Sequence, residues 1–450
     1  MKTLTNKQHI RETIALSLPL IATQIGHVFT GMSDNYFLGQ LGKTELAAGV
    51  TANGIFVLLL VFCIGMSYSS TPLVSSAHVN DDVKRKALLF KNSLFLNTGV
   101  AILLFLIMFF LSPLLDFLQQ PPDVILLAKP FFNVLAFSMI PIALFFTCKQ
   151  YAEGLSNTKA AMYISVVGNI FNIVLNYALI YGKAGLPQMG YIGSAWATFI
   201  ARSFMGVAFL IYIFYNPQTN DIKKFFRKVK VGGEALLSLW KIGINSGMQF
   251  TFEVAAFVIA LFMAGKFGKE AIDAHGIAIT LASGTYMFAS GLSSAATIRV
   301  SNFMAENNKP ELKKAGNMAV LLVLVCMTFF ALLFTAFSKV LPAFFTNDPA
   351  ILALTSNLLL IAAVFQLFDG LQVTSIGMLR GMEDVKFPTY ITLIGYWVLA
   401  LPLAYLLGFV CKMEVIGIWW ALTFSLVFVG LILYWRFRKL SGVKIQKFKN

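Results

Sequence analysis

The sequence predicts an all-α integral membrane protein whose twelve transmembrane helices form two pseudo-symmetric six-helix bundles. Three observations carry that prediction: an apolar composition, twelve apolar runs of spanning length, and a repeat relating the two halves of the chain. Of 450 residues, 58% are hydrophobic and 12% are charged, against about 25% charged in soluble domains. The net charge of +15 does not point to nucleic acid. The basic residues fall in short clusters between apolar runs and at the C-terminus, as in RFRKLSGVKIQKFK, which is a topology signal.

A bilayer core of about 30 Å needs roughly 20 apolar residues per helix. Runs of that size fall at 13–38, and at 46–76 after GQLGKTE. The next are at 88–117 after DDVKRKA, 126–150 after LQQPPD, 159–182 after EGLSNT and 190–215 after GKAGLPQM. The second half gives 236–264 after DIKKFFRKVK, 270–300 after GKFGK, 314–340 after NNKPELK, 350–379 after FFTNDP, 387–409 after GMEDVK and 414–436 after VCKM. The first run lacks a small-residue cleavage site and reads as a retained helix. Lys and Arg collect at the N-terminus, at alternate connections and at the C-terminus, so both termini are expected in the cytoplasm.

The halves resemble each other in order. GQLGKTELAA (39–48) aligns with GKFGKEAIDA (265–274), and IGMSYSSTPLVS (64–75) with SGLSSAATIRVS (290–301), both at a spacing of 226; EGLSNTK (153–159) meets RGMEDVK (380–386), and IGSAWA (192–197) meets IGIWWA (416–421). A shift of six helices preserves orientation, so these read as parallel repeats about an axis along the membrane normal. The expected division is an N-lobe at 1–222, a cytoplasmic link at 223–235, and a C-lobe with its basic tail at 236–450.

Charges inside spans are the candidates for chemistry, because a carboxylate at membrane depth costs roughly 2.5–3.5 kcal/mol on insertion scales. Asp34 lies in the first span, Glu253 in the seventh and Asp369 in the tenth. Asp34 either faces a polar interior or sits harmlessly at the headgroup end of its helix. Glu253 and Asp369 belong to the same half, where two carboxylates would bind a cation or share a proton; the alternative for each is a packing hydrogen bond. Gly370, beside Asp369, marks an expected local opening of the helix. Asn172 and Asn176 share one helix face of the fifth span and, with Thr198 of the sixth, are placed to bond Asp34 or offer oxygen ligands to sodium. Interhelical hydrogen-bond glue explains the asparagines equally well. The four cysteines are isolated and read as packing residues, with no disulfide framework or zinc motif.

These segments carry a resemblance. The acid of SDNYFLGQLGKTELAA, the EGLSNTKAAM loop, FNIVLNYALIYG, FEVAAF and FDGLQV together resemble multidrug and toxic compound extrusion (MATE) transporters of the NorM-like branch over essentially the whole chain. The resemblance implies two six-helix lobes in a V shape that export amphiphilic organic cations against sodium or protons. It also implies an N-lobe polar cluster of Asp34, Asn172, Asn176 and Thr198, and a C-lobe cation site at Glu253 and Asp369, with sodium a candidate ligand there. No cofactor beyond the coupling ion is expected. The expected partners are cationic drugs and membrane lipid, with no nucleic acid, and the expected form is a monomer in a bacterial inner membrane. Where NorM-like proteins often have tyrosine one turn before the tenth-span aspartate, this chain has Phe365, which lacks the hydroxyl and keeps the aromatic face. Neither this nor the altered GLSNTKA loop decides between sodium and protons.

Two other readings stay in view. A flippase for lipid-linked or amphipathic metabolites would be expected to line its cavity with arginines, and a membrane-embedded enzyme would need clustered ligands or a nucleophile with a base. His9, His27, His78 and His275 are dispersed, and no HExxH, GxSxG or Walker motif occurs in context, so the chain is expected not to be an enzyme. If the topology is right, a reporter fused after Lys449 and a cysteine placed at 112–124 will lie on opposite sides of the membrane; labelling of both from outside would refute twelve spans.

Overall fold

A computed structural model describes residues 4–118 and 120–442; most of the basic tail, from 443 onward, lies outside them. Among the described residues every regular element is a helix. The twelve long ones are α1 (Asn6–Leu41), α2 (Lys43–Val79), α3 (Val83–Leu111), α4 (Pro122–Gly154), α5 (Thr158–Tyr181), α6 (Tyr191–Tyr215), α7 (Gly233–Gly265), α8 (Lys269–Ala305), α9 (Lys309–Ala336), α10 (Pro349–Gly381), α11 (Lys386–Val410) and α12 (Glu414–Gly442). All but α8 are both long and apolar enough to cross a membrane. At 37 residues α8 is long enough, but its many Ala, Gly, Ser and Thr residues dilute its apolar runs.

The repeat is visible in local geometry. Asp82 caps α3 by accepting from the Arg85 N–H, and Asn308, 226 residues later, caps α9 by accepting from the Glu311 N–H; short polar side chains satisfy the otherwise unpaired first-turn donors. The residues just before them, Asp81 and Asn307, both take left-handed backbone, with φ of 49° and 54°. Ser156 and Glu383, in the two aligned loops after α4 and α10, do the same at 59° and 62°. Two sequences of different composition thus build the same tight turns, with a backbone cost that Asp81 and Asn307 soften and Ser156 and Glu383 bear in full.

Compact packing divides the chain into two units whose boundaries fall inside helices. One holds the residues up to Ile21 and those from Met248 onward; the other runs from Ala22 to Gly247. The 223–235 stretch therefore lies within the second unit. The reason is in the side chains. In the first unit, Arg299 of α8 donates to the His9 carbonyl and Thr13 Oγ1 at 2.8 Å each and pairs with Glu12 at 2.8 Å. Glu311 of α9 meets His9 Nε2 at 2.9 Å and accepts from the Leu4 N–H at 3.0 Å. The beginning of α1 is thus tied to α8 and α9. In the second unit α2 and the start of α7 meet at glycines, where a Cβ on Gly65 would fall 2.6 Å from the Gly247 Cα. Small residues let membrane helices approach this closely.

The first unit's core includes alanine stripes, Ala256, Ala260 and Ala264 on α7 and Ala271, Ala274, Ala278 and Ala282 on α8, in one buried cluster with Trp419, Tyr396 and Phe365. Cys63 and Cys148 are buried packing residues, as expected, whereas Cys411 is exposed at the end of α11. Arg299→Ala is expected to destabilise the protein by roughly 2–4 kcal/mol, somewhat under the 3–5 typical of a broken buried pair, because Glu12 is 49% exposed. Glu12→Gln should cost less than about 1 kcal/mol. Thermal unfolding of both variants checks this; equally small losses would mean the network does not hold α1.

Candidate functional site

Asp34 lies in the last two turns of α1, yet it is only 8% exposed. Its Oδ1 accepts from Asn176 Nδ2 at 2.7 Å and its Oδ2 from Thr198 Oγ1 at 3.1 Å. Asn172 donates to Thr198 Oγ1 at 3.3 Å, and its own Oδ1 accepts from Asn176 at 3.1 Å. One turn earlier on α1, Thr30 donates to Asn169 Oδ1 at 2.8 Å. Asn169 and Asn176, seven apart on α5, therefore zip that helix to α1. The second unit brings together all four residues of the expected N-lobe cluster. Asn176 Oδ1 is buried with no hydrogen-bond partner, leaving an open acceptor beside the carboxylate.

The first unit holds the other acids. Glu253 on α7 and Asp369 on α10 are 7% and 6% exposed, and they are close enough to repel each other electrostatically. Glu253 Oε1 accepts from Gln372 Nε2 at 3.0 Å and from the Tyr396 hydroxyl at 3.3 Å. Gln372 lies one turn after Asp369. Tyr396 stands on a π-helical stretch of α11, Ile394–Ala400; such wide turns are rare and recur at functional sites. Ser425 of α12 donates to the Gly395 carbonyl at 2.7 Å, and Trp397 Nε1 to the Phe252 carbonyl at 3.1 Å, pinning the turn on both sides.

Phe365 is buried 5.5 Å from the Trp419 ring and 6.1 Å from Phe257, which also meets Tyr396 at 5.8 Å. Its ring belongs to an aromatic group packed beside the acids. The hydroxyl it lacks reaches Glu253 from Tyr396 instead. Gly370 does not open α10, which is continuous from Pro349 to Gly381. A Cβ there would fall 2.7 Å from Met327 Cγ, so the glycine serves close packing with α9.

Counting acids missed the buried cations. Lys149 pairs with Glu153 at 3.0 Å, both buried at the end of α4. Half-buried Arg202, one turn after Thr198, donates to Ser138 Oγ at 2.6 Å, lies 4.6 Å from the Phe56 ring and interacts electrostatically with Asp34. Arg299 and Arg380 are buried too. The four-residue spacing of Lys149 and Glu153 was the available signal. Among the described residues, none of the ion pairs includes Asp34, Glu253 or Asp369, and no group of three or more His, Cys, Asp and Glu could hold a metal.

Comparison with known proteins matches the MatE family model to residues 19–178 and again to 246–406. The chain belongs to the MatE family. The two matches repeat the internal duplication seen in the turns. The chain is 29% identical over 444 residues to "Probable multidrug resistance protein NorM" of Pseudomonas putida, covering 96% of each, and 30% identical over 439 residues to a protein of the same description from Pseudomonas syringae pv. tomato, covering 96% of this chain and 95% of that one. The fold is that of "eukaryotic MATE transporter AtDTX14", at a TM-score of 0.87 and 18% identity, over 97% of this chain and 98% of that one. MatE proteins are transporters, not enzymes.

Thr198→Val keeps the shape of the side chain while removing a donor to Asp34 Oδ2. In this MatE chain it should cost roughly 1–3 kcal/mol of stability, read by thermal unfolding, whereas Thr335→Val, an exposed back-bonded hydroxyl on α9, should change little. Equal effects would mean that Asp34 has other support.

Proposed function

We propose that the chain is a multidrug efflux transporter of the NorM type that antiports amphiphilic organic cations against sodium or protons across a bacterial inner membrane, with both termini in the cytoplasm. The observation that carries the reading is the bonding of the three deep acids. Asp34 and Glu253 are held by amides and hydroxyls, Asp369 lies within the electrostatic reach of Glu253, and among the described residues Lys and Arg form no ion pair with any of the three, Arg202 and Arg380 acting on Asp34 and Glu253 only through their fields. A buried carboxylate with only neutral donors leaves its charge largely unbalanced. A cation completes it, whether a proton, a sodium ion or the charged group of a drug.

Exchange follows from competition. A hydrophobic cation is drawn by the acids and by the aromatic group around Phe365, and loading the same acids with the coupling ion removes that attraction. Linkage requires the effect to be reciprocal. In the first unit Asp369 and Glu253 are proposed to hold the coupling ion, with Gln372 and Tyr396 orienting the Glu253 carboxylate. In the second unit Asp34, Asn172, Asn176 and Thr198 are proposed as a separate polar site, where the open Asn176 Oδ1 suits an oxygen-coordinated cation. The names of the NorM relatives support the multidrug substrate class.

Ethidium efflux from vesicles reconstituted with the purified protein, under sodium and proton gradients imposed separately, tests the class and the ion together. Glu253→Gln and Asp369→Asn should express normally and lose gradient-driven efflux by about tenfold or more, the loss expected when roughly 1.4 kcal/mol or more of coupling is removed. Asp34→Asn should slow transport and leave ion binding in the first unit largely intact. Wild-type efflux in both first-unit variants would make those acids structural.

A further inference from the structure

The stretch DIKKFFRKVK between α6 and α7 reads in sequence as a topology signal, but in the structure it is a seated platform. Ile222 and Val229 are buried, and the Phe226 ring packs 6.0 Å from Phe90 and 5.0 Å from Phe214. Lys91 of α3 donates to the Phe226 and Val229 carbonyls at 3.1 and 2.8 Å, and the Gly232 N–H donates to Asn92 Oδ1 at 2.8 Å. With those residues turned inward, Lys223, Lys224, Arg227, Lys228 and Lys230 are all exposed. Lys224 pairs with exposed Asp221 at 3.0 Å, and Lys223 lies 3.8 Å from the Tyr215 ring. Arg227, Lys228 and Lys230 have no acid partner among the described residues.

The neighbouring surface is apolar and aromatic. Tyr215 at the end of α6 is 71% exposed, and Val231 just before α7 and Leu237 and Trp240 in its first turns are 38%, 52% and 44% exposed. Tyrosine and tryptophan concentrate where a membrane helix leaves the hydrocarbon. We propose that this platform binds the headgroups of anionic phospholipids, with the surface from Tyr215 to Trp240 against their acyl chains. A soluble anion or an acidic peptide would use the charges and leave the apolar rim in water; a lipid uses both. Juxtamembrane bases each add attraction to an anionic bilayer. Because the backbone is fixed by Lys91 and Asn92, little ordering is left to offset that attraction. The proposal does not depend on which substrate is transported.

The test uses the full chain with Trp240 as its single tryptophan, in phosphatidylcholine vesicles doped with phosphatidylglycerol or phosphatidylcholine carrying brominated acyl chains. Brominated phosphatidylglycerol should quench Trp240 at a mole fraction roughly tenfold lower than brominated phosphatidylcholine. Replacing Lys223, Arg227, Lys228 and Lys230 together by Gln should bring the two lipids within about twofold, and Asp221→Asn should keep or sharpen the preference. The phosphatidylglycerol to phosphatidylcholine ratio retained by the chain with all its tryptophans during purification from mixed vesicles should fall in the same quadruple variant, which covers the case that the single-tryptophan protein folds poorly. Equal quenching in the parent, or a preference untouched by the four substitutions, would overturn the proposal. So would its abolition by millimolar inorganic phosphate or a poly-glutamate peptide, which would assign the platform to a soluble anion.

Discussion

A carboxylate inside a membrane protein must be balanced, and the way this chain balances Asp34, Glu253 and Asp369 organises both units. Had each acid been paired with Lys or Arg, as Glu153 is with Lys149, the charge would be neutral and the site closed. Neutral donors behave differently. They orient an ionised carboxylate and lower its energy by only part of what burial costs. On the proposed reading that remainder is met by a mobile cation; the surrounding helices supply the donors, α5 and α6 for Asp34 and α10 and α11 for Glu253.

The contrast with the inward-facing cations Arg299 and Arg202 is informative. Arg299 is surrounded by the His9 carbonyl, Thr13 Oγ1, His9 Nδ1 and Glu12, and it serves to fasten the start of α1. Arg202 is held by a hydroxyl and an aromatic face, near Asp34 without pairing to it. A full salt bridge there would have competed with any incoming cation. At the present geometry Arg202 adds a long-range field that Asp34 feels, while its guanidinium hydrogen-bonds elsewhere.

Much of this was legible in the sequence, for definite reasons. Twelve apolar runs, the cluster around Asp34 and the duplication all follow from patterns of short range: run length, the four-residue helix spacing of Asn172 and Asn176, and loop residues repeated at a fixed offset. Tyr396 was not legible. Its approach to Glu253 depends on a π-helical turn held by Ser425 and Trp397, which no local propensity announces, so the hydroxyl missing at Phe365 looked lost. Gly370 was misread because a glycine suits an opened helix and a close contact alike, and only the neighbouring Met327 decides. The unit boundaries were equally hidden, since the bonds that carry residues 4–21 to α8 and α9 join side chains nearly 300 positions apart.

Those boundaries bear on how the acids work. The division inside α1 falls between Ile21 and Ala22, and the division inside α7 between Gly247 and Met248. Asp34 lies beyond the first and Glu253 beyond the second, so each acid sits on the part of its helix that belongs with its hydrogen-bonding partners. The other part of the same helix is fastened in the other unit, α1 through Arg299 and Glu311, α7 through the Gly65 contact. In α1 the division follows closely on Pro19, where the ring removes one bond of the helical ladder. On the transport reading, a cation that rearranges the donors around Asp34 or Glu253 acts first within the unit that holds that acid together with its partners.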